Sequence, residues 1–385
     1  MKIGIMTFSS SNDNYGQLLQ CWALQTILKS MNHDAFVIRF ESHHAADWKR
    51  RINRLLLVYP LFLRARGWIV KNVNRNKIMK LQEFNHSRNF DHFRSMMLNT
   101  TPVVYKSLKE LQANPPVADC YVAGSDSIWA QLLDNPNNRA WFLDFGNSST
   151  KRISYAASFL MNEYPSKLKP QLRELLSRFE SVSVRETGGG KICKDVGINA
   201  EVTCDPSLLL TRQDYIRHFD IKENPQNYIY LYTVNVKRKE EIFWDELKGY
   251  ADDARCDIKI TVGSGIYPGF EIYGKDCDYD YCPIEKWLFH ISNAKGVVAT
   301  SFHGVVFSIL METPFVYVPF KKERERLNYR IFELLASLGL SDRIYKEGNS
   351  YKDILRKPID WNNIRQRLKE IRNHSMSYLE KALVT

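Results

Sequence analysis

GVVATSFHGVVFSILMETPFVYV, residues 296–318, holds a strand, a turn, a helix and a second strand in that order. Gly296 to Ala299 is a short apolar run ending in Thr300 and Ser301. His303 and Gly304 then open an apolar helical segment, and after Pro314 the run Phe315 to Val318 resumes the strand pattern. Two apolar strands joined through a helix are the signature of a parallel βαβ unit, because parallel strands need a crossover to return to the same edge.

The same alternation extends outward in both directions. Upstream lie the strand candidates Tyr228 to Val234 and Ile258 to Val262 and a helix starting at Pro283. Nearer the beginning, Lys2 to Phe8 reads as a buried strand. Residues 16–31 then switch to helical period, with Leu24, Ile27, Leu28 and Met31 on one face. Further strand candidates are Ala35 to Phe40, Cys120 to Ala123, Ile153 to Ala157, Val182 to Val184 and Val202 to Cys204, with helical patterns at 167–179 and 187–196. Strands alternating with helices imply an α/β fold with parallel sheets covered on both faces. The polar KENPQN stretch, 222–227, divides the pattern into two Rossmann-like domains facing across a cleft. The expected organisation is one Rossmann-like domain at 1–222, a second at 223–345 and a charged helical tail at 346–385 packing back on the first.

With 385 residues, 44% hydrophobic and 25% charged, the chain is long enough for two cores and too apolar for disorder. The start, MKIGIMTFSS, lacks the long apolar core of a signal peptide, and the run Leu55 to Leu63 is broken by Pro60 and too short to span a bilayer. The expectation is a cytoplasmic protein. Seven cysteines form no CxxC pair, and the spacing of Cys277, Cys282 and His290 matches no zinc pattern, so reduced thiols and metal independence are expected. The net charge of +11 is concentrated: Lys49 to Arg88 holds eleven basic residues opposed only by Glu83. This basic insertion, 46–95, carries apolar anchors including Trp48, Tyr59, Phe62 and Trp68. Such a segment suits either a solvated helical hairpin or contact with anionic lipid at the inner face of the cell membrane. Nucleic acid is not expected, because no reading motif accompanies the charge.

Four turns fall at the C-terminal ends of strands, where open α/β sheets place their ligands. In SSSNDNYG, residues 9–16, Asn14, Tyr15 and Gly16 read equally as a binding loop or as a helix cap. In AGSDSIW, residues 123–129, Ser125 and Asp126 suit either a sugar hydroxyl or capping of the next turn. In SVSVRE, residues 181–186, Arg185 leaves a buried strand toward the cleft, where a guanidinium fits a carboxylate or phosphate. In ATSFHGVVFS, residues 299–308, Thr300, Ser301, His303 and Gly304 gather hydroxyls, an imidazole and free N–H groups at a positive helix end. Lys321, Lys322, Arg324, Arg326 and Arg330 add positive charge after the next strand.

Taken in order, NYGQLLQCWAL, GSDSIW, YAASF, SVRE, CDPSLLL, NAKGVVATSFHGVVFSILMETPF and NYRIFELLASLGLSDR resemble the polysaccharide pyruvyl transferase family over roughly 14–343. SFHG and its flanks are the most specific of these pieces, and the basic insertion has no counterpart. The resemblance implies a GT-B-like pair of Rossmann domains and transfer of pyruvate from phosphoenolpyruvate onto a sugar diol as a cyclic ketal. It places the family's donor-contacting histidine, expected to act as acid, on His303. Other members carry an arginine two residues earlier, where this chain has Ser301; Arg185, Lys322 or Arg330 is expected to supply that charge.

Ketal formation needs a proton on the enol carbon, attack by one hydroxyl, departure of phosphate and closure by a second hydroxyl. Protonated His303 is expected to supply that proton or to neutralise the departing phosphate, and Asp126 is the candidate base for the acceptor, with no cofactor beyond the donor substrate. The expected acceptor is a lipid-linked sugar precursor of a surface polysaccharide. Two alternatives share the fold: a glycosyltransferase using a nucleotide sugar, and a non-catalytic carbohydrate-binding component of polysaccharide assembly.

Overall fold

The computed structural model describes residues 1–41, 83–264 and 267–384. Most of the basic insertion, including its anchors from Trp48 to Ile69, lies outside the described residues.

Four strands, β1 (Lys2–Met6), β2 (Asp34–Val37), β3 (Cys120–Ala123) and β4 (Lys151–Ser154), form a parallel sheet in the order β2-β1-β3-β4. A short parallel pair, β5 (Ser183–Val184) and β6 (Glu201–Val202), extends it through single bridges from Ile153 to Ser181 and from Ala157 to Val184. The second sheet is also parallel: β7 (Tyr228–Thr233), β8 (Asp257–Val262), β9 (Asp278–Tyr279), β10 (Gly296–Ala299) and β11 (Phe315–Tyr317), ordered β11-β10-β7-β8-β9. Every residue of β7 is buried, as a strand covered on both faces requires.

Several strands are shorter than their apolar runs, and tertiary partners account for two of them. The β1 ladder ends at Val37, which also bridges Thr100, and Phe40 bridges Tyr105, so the run to Phe40 continues as isolated bridges. The run Ile153 to Ala157 leaves the β3 ladder after Ser154, and Ala157 bridges Asp126 and Val184 instead, with Ala156 between at φ +47°. β9 follows from no sequence pattern; it is a two-residue edge pairing with β8.

The halves share apolar packing. One cluster runs from Ile3, Leu18 and Trp22 through Tyr230 and Trp287 to Val305 and Leu379. Tyr15 sits in its centre, stacked on Trp287 with ring centroids 5.1 Å apart and donating its hydroxyl to the Cys282 carbonyl at 2.6 Å. A continuous apolar seam of this kind holds the two sheets in one arrangement. The last helix, Trp361–Val384, adds polar ties to the first half: the Cys204 N–H donates to Ser375 Oγ, Tyr378 donates to the Ser154 carbonyl, and Arg372 donates to the Leu208 and Leu210 carbonyls. Among the described residues no helix is long and apolar enough to cross a membrane.

Candidate active site

The helix Phe302–Leu310 begins directly after β10, and its first turn enters the seam between the sheets. Ser301 is its N-cap, with Oγ accepting the Gly304 N–H at 3.0 Å. Thr300 Oγ1 is committed to the backbone of Val234, accepting its N–H at 2.9 Å and donating to its carbonyl at 3.2 Å. Gly304 lies where a side chain would crowd Ala299 and Tyr232. This turn is therefore a structural frame that aims one functional group, His303.

His303 is 7% exposed, and its imidazole presses on the start of the first helix, Tyr15–Ser30. A Cβ on Gly16 would stand 2.0 Å from His303 Cγ, so the glycine makes the approach of the two halves possible. Nε2 of His303 makes no hydrogen bond among the described residues and lies 3.5 Å from Asp205 Oδ2.

Asp205 follows β6 in the CDPS segment and is fully buried on its side chain. Oδ1 caps the next turn by accepting the Ser207 N–H at 3.0 Å, and Oδ2 accepts from Arg185 Nη1 at 2.8 Å. Burial alone would push this carboxyl upward. The nearby charge of His303, followed by that of Arg185, outweighs it and holds Asp205 well below the ordinary carboxylate range.

Arg185 follows β5 and is 2% exposed on its side chain. Besides Asp205 it faces Asp126 Oδ1 at 3.7 Å and Glu186 Oε2 at 3.9 Å, both too long for hydrogen bonds. Its Nε and Nη2 are buried without hydrogen-bond partners among the described residues. The guanidinium lies 4.8 Å from the centroid of Phe302, and Arg330 lies 5.0 Å from the same ring, its Nε also unpartnered. Burial, then the like charge of Arg185, push Arg330 down to about 10, still cationic at neutral pH. A cavity of about 610 Å³ reaches Arg185, Asp205, Phe302 and Arg330 and opens between the helix Tyr329–Leu338 and the last helix. His303 lies behind Asp205 and does not line it.

Asp126 converges on this cluster from β3. Its backbone stands at φ +68° and ψ −175°, a region costing a non-glycine residue about 1–3 kcal/mol. Hydrogen bonds to the backbone of its turn, from Ser158 N–H to the Asp126 carbonyl and from Thr7 Oγ1 to the Ser125 carbonyl, hold it there. The carboxylate caps nothing; it faces Arg185 and, at 3.5 Å, Gln17 Nε2.

Of the residues singled out from sequence, His303, Asp126, Arg185, Arg330 and Gly16 come together. Ser125 does not join them: it is fully buried and donates to the Ala156 carbonyl at 2.9 Å. Tyr15 is a core residue, since its ring and hydroxyl are spent at the seam. Asn14 is the cap of the first helix, accepting the Gln17 N–H. Lys322 is exposed on a separate cavity of about 440 Å³, shared with Thr300, Lys237 and Arg324. Sequence reasoning missed Asp205, Glu186, Phe302 and Gln17. The signal for Asp205 was present: an arginine buried at a strand end requires a counter-charge, and CDPS ends the neighbouring strand.

Cys282 and His290 do come close, with Asp280 as a third group, all within 4.8 Å, while Cys277 points its thiol at the Tyr273 carbonyl. That trio is already engaged: His290 bonds Asp280 at 2.7 Å and Tyr228 at 2.8 Å, and Lys286 pairs with Asp280 at 2.8 Å.

The sequence profile of polysaccharide pyruvyl transferase matches residues 14–321, which include Gly16, Asp126, Arg185, Asp205 and His303 but not Arg330. No curated protein sequence matches the chain significantly. Among solved structures, the Methanocaldococcus jannaschii UDP-GlcNAc 2-epimerase in complex with UDP-GlcNAc and UDP superposes with a TM-score of 0.50 at 10% identity, covering 96% of this chain and 99% of its own. A Listeria monocytogenes protein designated a UDP-N-acetylglucosamine 2-epimerase gives the same TM-score at 10% identity, covering 97% and 90%. At this identity the likeness establishes a GT-B-like fold. The profile covers the strand-end turns that build the buried cluster, and the chain belongs to the polysaccharide pyruvyl transferase family.

Proposed function

We propose that the protein transfers the enolpyruvyl carbons of phosphoenolpyruvate to two hydroxyls of a sugar, releasing phosphate and leaving a cyclic ketal. One observation carries the reading. Among the described residues three buried guanidinium nitrogens, Arg185 Nε and Nη2 and Arg330 Nε, lack partners around one aromatic ring, and Nε2 of His303, likewise unpartnered, lies behind Asp205. Buried donors left unmade are costly, and a small ligand rich in anionic oxygens satisfies those of the two arginines together.

In this reading Arg185 and Arg330 hold the carboxylate and phosphate, and Arg330 supplies the charge other members place at the position of Ser301. His303, steadied by Asp205, neutralises the phosphate as it leaves, and Asp126 takes the proton of the attacking hydroxyl. The acceptor is a lipid-linked precursor presented at the inner face of the membrane, with the part of the basic insertion before residue 83 as the contact, since Arg88, Phe90 and Phe93 are buried in the protein. The reaction needs no metal, so chelation leaves it intact.

Thermal-shift titration tests the donor: phosphoenolpyruvate stabilises the protein and UDP-sugars do not. The reverse result assigns a nucleotide-sugar glycosyltransferase. Phosphate release in the presence of an acceptor is lost in His303→Ala; release surviving that change removes His303 from the chemistry. Flotation with anionic liposomes at low and high salt tests the membrane contact, and no binding at low salt leaves the solvated hairpin.

A further inference from the structure

Glu186 is a buried acid that the transfer described above leaves without a task. Its two oxygens differ sharply. Oε1 accepts three hydrogen bonds, from Ser158 Oγ at 2.9 Å, Phe159 N–H at 2.9 Å and Leu160 N–H at 3.3 Å. Oε2 is buried with no hydrogen-bond partner among the described residues and lies 3.9 Å from Arg185 Nε, itself unpartnered. The residue also borders a small cavity of about 30 Å³ with Arg326, Tyr329 and Arg330. We propose that Glu186 meets the donor as an un-ionised carboxylic acid and that its Oε2 proton is delivered to the methylene carbon of the enolpyruvyl group.

The inference rests on the pyruvyl-transfer reading and follows from three constraints. A donor oxygen accepting from Arg185 Nε at about 2.9 Å sits close against Oε2, and two anionic oxygens so placed repel each other. Ionised Glu186 would also make three carboxylates, with Asp126 and Asp205, facing the two guanidinium groups, which disfavours any further anion. Finally, Oε1 is saturated as an acceptor, so the proton resides on Oε2, the oxygen beside the free donors.

The groups facing Glu186 are Arg185 on its own strand, Arg326, Tyr329 and Arg330 from the segment after β11, Ser158 with the two N–H groups of its turn, and Cys193 on the following helix. Burial pushes the carboxyl above its ordinary value, and Arg185, Ser158 and Arg330 only partly oppose it.

In the step, the Glu186 O–H bond breaks as the C3–H bond forms from the C2–C3 π pair. The acceptor oxygen bonds to C2 and yields its proton to Asp126. Phosphate leaves with the C2–O pair, and the second hydroxyl closes the ketal. Of the two hydroxyl protons, one restores Glu186 through solvent and one departs with phosphate. No carbon needs an outside oxidant or reductant.

Glu186→Gln keeps the Oε1 acceptor and puts an N–H donor in place of the acid. Calorimetry with phosphoenolpyruvate, and phosphate release with a panel of oligosaccharide acceptors, are measured from pH 5 to 8, below the range in which Arg330 loses its proton. The expected result is donor affinity within about threefold of wild type at neutral pH, turnover lower by about 10²–10⁴-fold, and loss of the alkaline fall in affinity. Glu186→Asp retains that alkaline fall at reduced turnover, so a folding defect in either variant leaves the other decisive. If Glu186→Gln turns over within tenfold of wild type, or keeps the same alkaline limb, the acid is not Glu186 although the donor stands. If wild type binds no phosphoenolpyruvate, the donor reading fails and this inference with it.

Discussion

Replacing Gly16 by alanine sets helix propensity against packing at the point where the two halves meet. Alanine is favoured over glycine within a helix by about 1 kcal/mol, so propensity alone predicts a gain. The added Cβ, however, would stand 2.0 Å from Cγ, 2.1 Å from Nδ1 and 2.3 Å from Cβ of His303. Carbon atoms pack at about 3.5–4.0 Å, so the overlap exceeds an ångström. The clash reaches the base of the histidine as well as its ring, and rotating the ring does not clear it. The backbone of one half must shift, at an overpacking cost of about 1–3 kcal/mol. Packing wins, and Gly16→Ala is expected to lower the urea midpoint. The same shift moves His303 off Asp205 and, on the proposed function, weakens phosphoenolpyruvate binding by about tenfold or more in calorimetry. A variant at least as stable as wild type with unchanged donor affinity refutes the close approach.

Asp205→Ala strands the buried Arg185 and is expected to cost about 3–5 kcal/mol by urea denaturation, the loss seen when one partner of a buried pair is removed. Because the folded state holds Asp205 below its unfolded value, its contribution is present above about pH 4 and lost as pH falls. Asp205→Asn therefore flattens the acid limb of stability against pH, and an unaltered limb counts against the pairing. Arg330→Lys keeps the charge but loses the planar fork over Phe302, so donor affinity falls on the order of tenfold with little change in melting temperature. Tyr15→Phe removes the bond to the Cys282 carbonyl and costs about 0.5–1.5 kcal/mol while leaving donor affinity alone; an affinity loss in that variant returns Tyr15 to the site.

Both faces of a parallel sheet are covered, so its strands are apolar nearly throughout and visible in one dimension. For that reason β3 and β10 end where their runs end, at Ala123 and Ala299. Site residues at strand ends were partly visible for a related reason: the fold puts ligands there, and Arg185, Asp126 and His303 are polar groups at those positions. Asp205 and Glu186 were harder to see, because a carboxylate after a short strand reads as a turn residue until the arginine it serves is located. Tyr15 erred the other way. A tyrosine at a helix start beside polar residues looks like a ligand contact, and only the second half's Trp287 shows that it is core.

The order of apolar and polar residues along the chain determined by itself that there would be two parallel sheets, and which turns would rise from their ends. Local periodicity carries that information, since covering a strand or helix face depends on residues a few positions apart. What the tertiary structure alone decided is which turns meet. It brought Arg185 and Arg330, 145 positions apart in the sequence, onto one phenylalanine, and set His303 against Gly16. It also left Lys322 on a different cavity and closed Ser125 into the frame. Those outcomes depend on how two halves with separate hydrophobic patterns share a seam, and no spacing within either half encodes them.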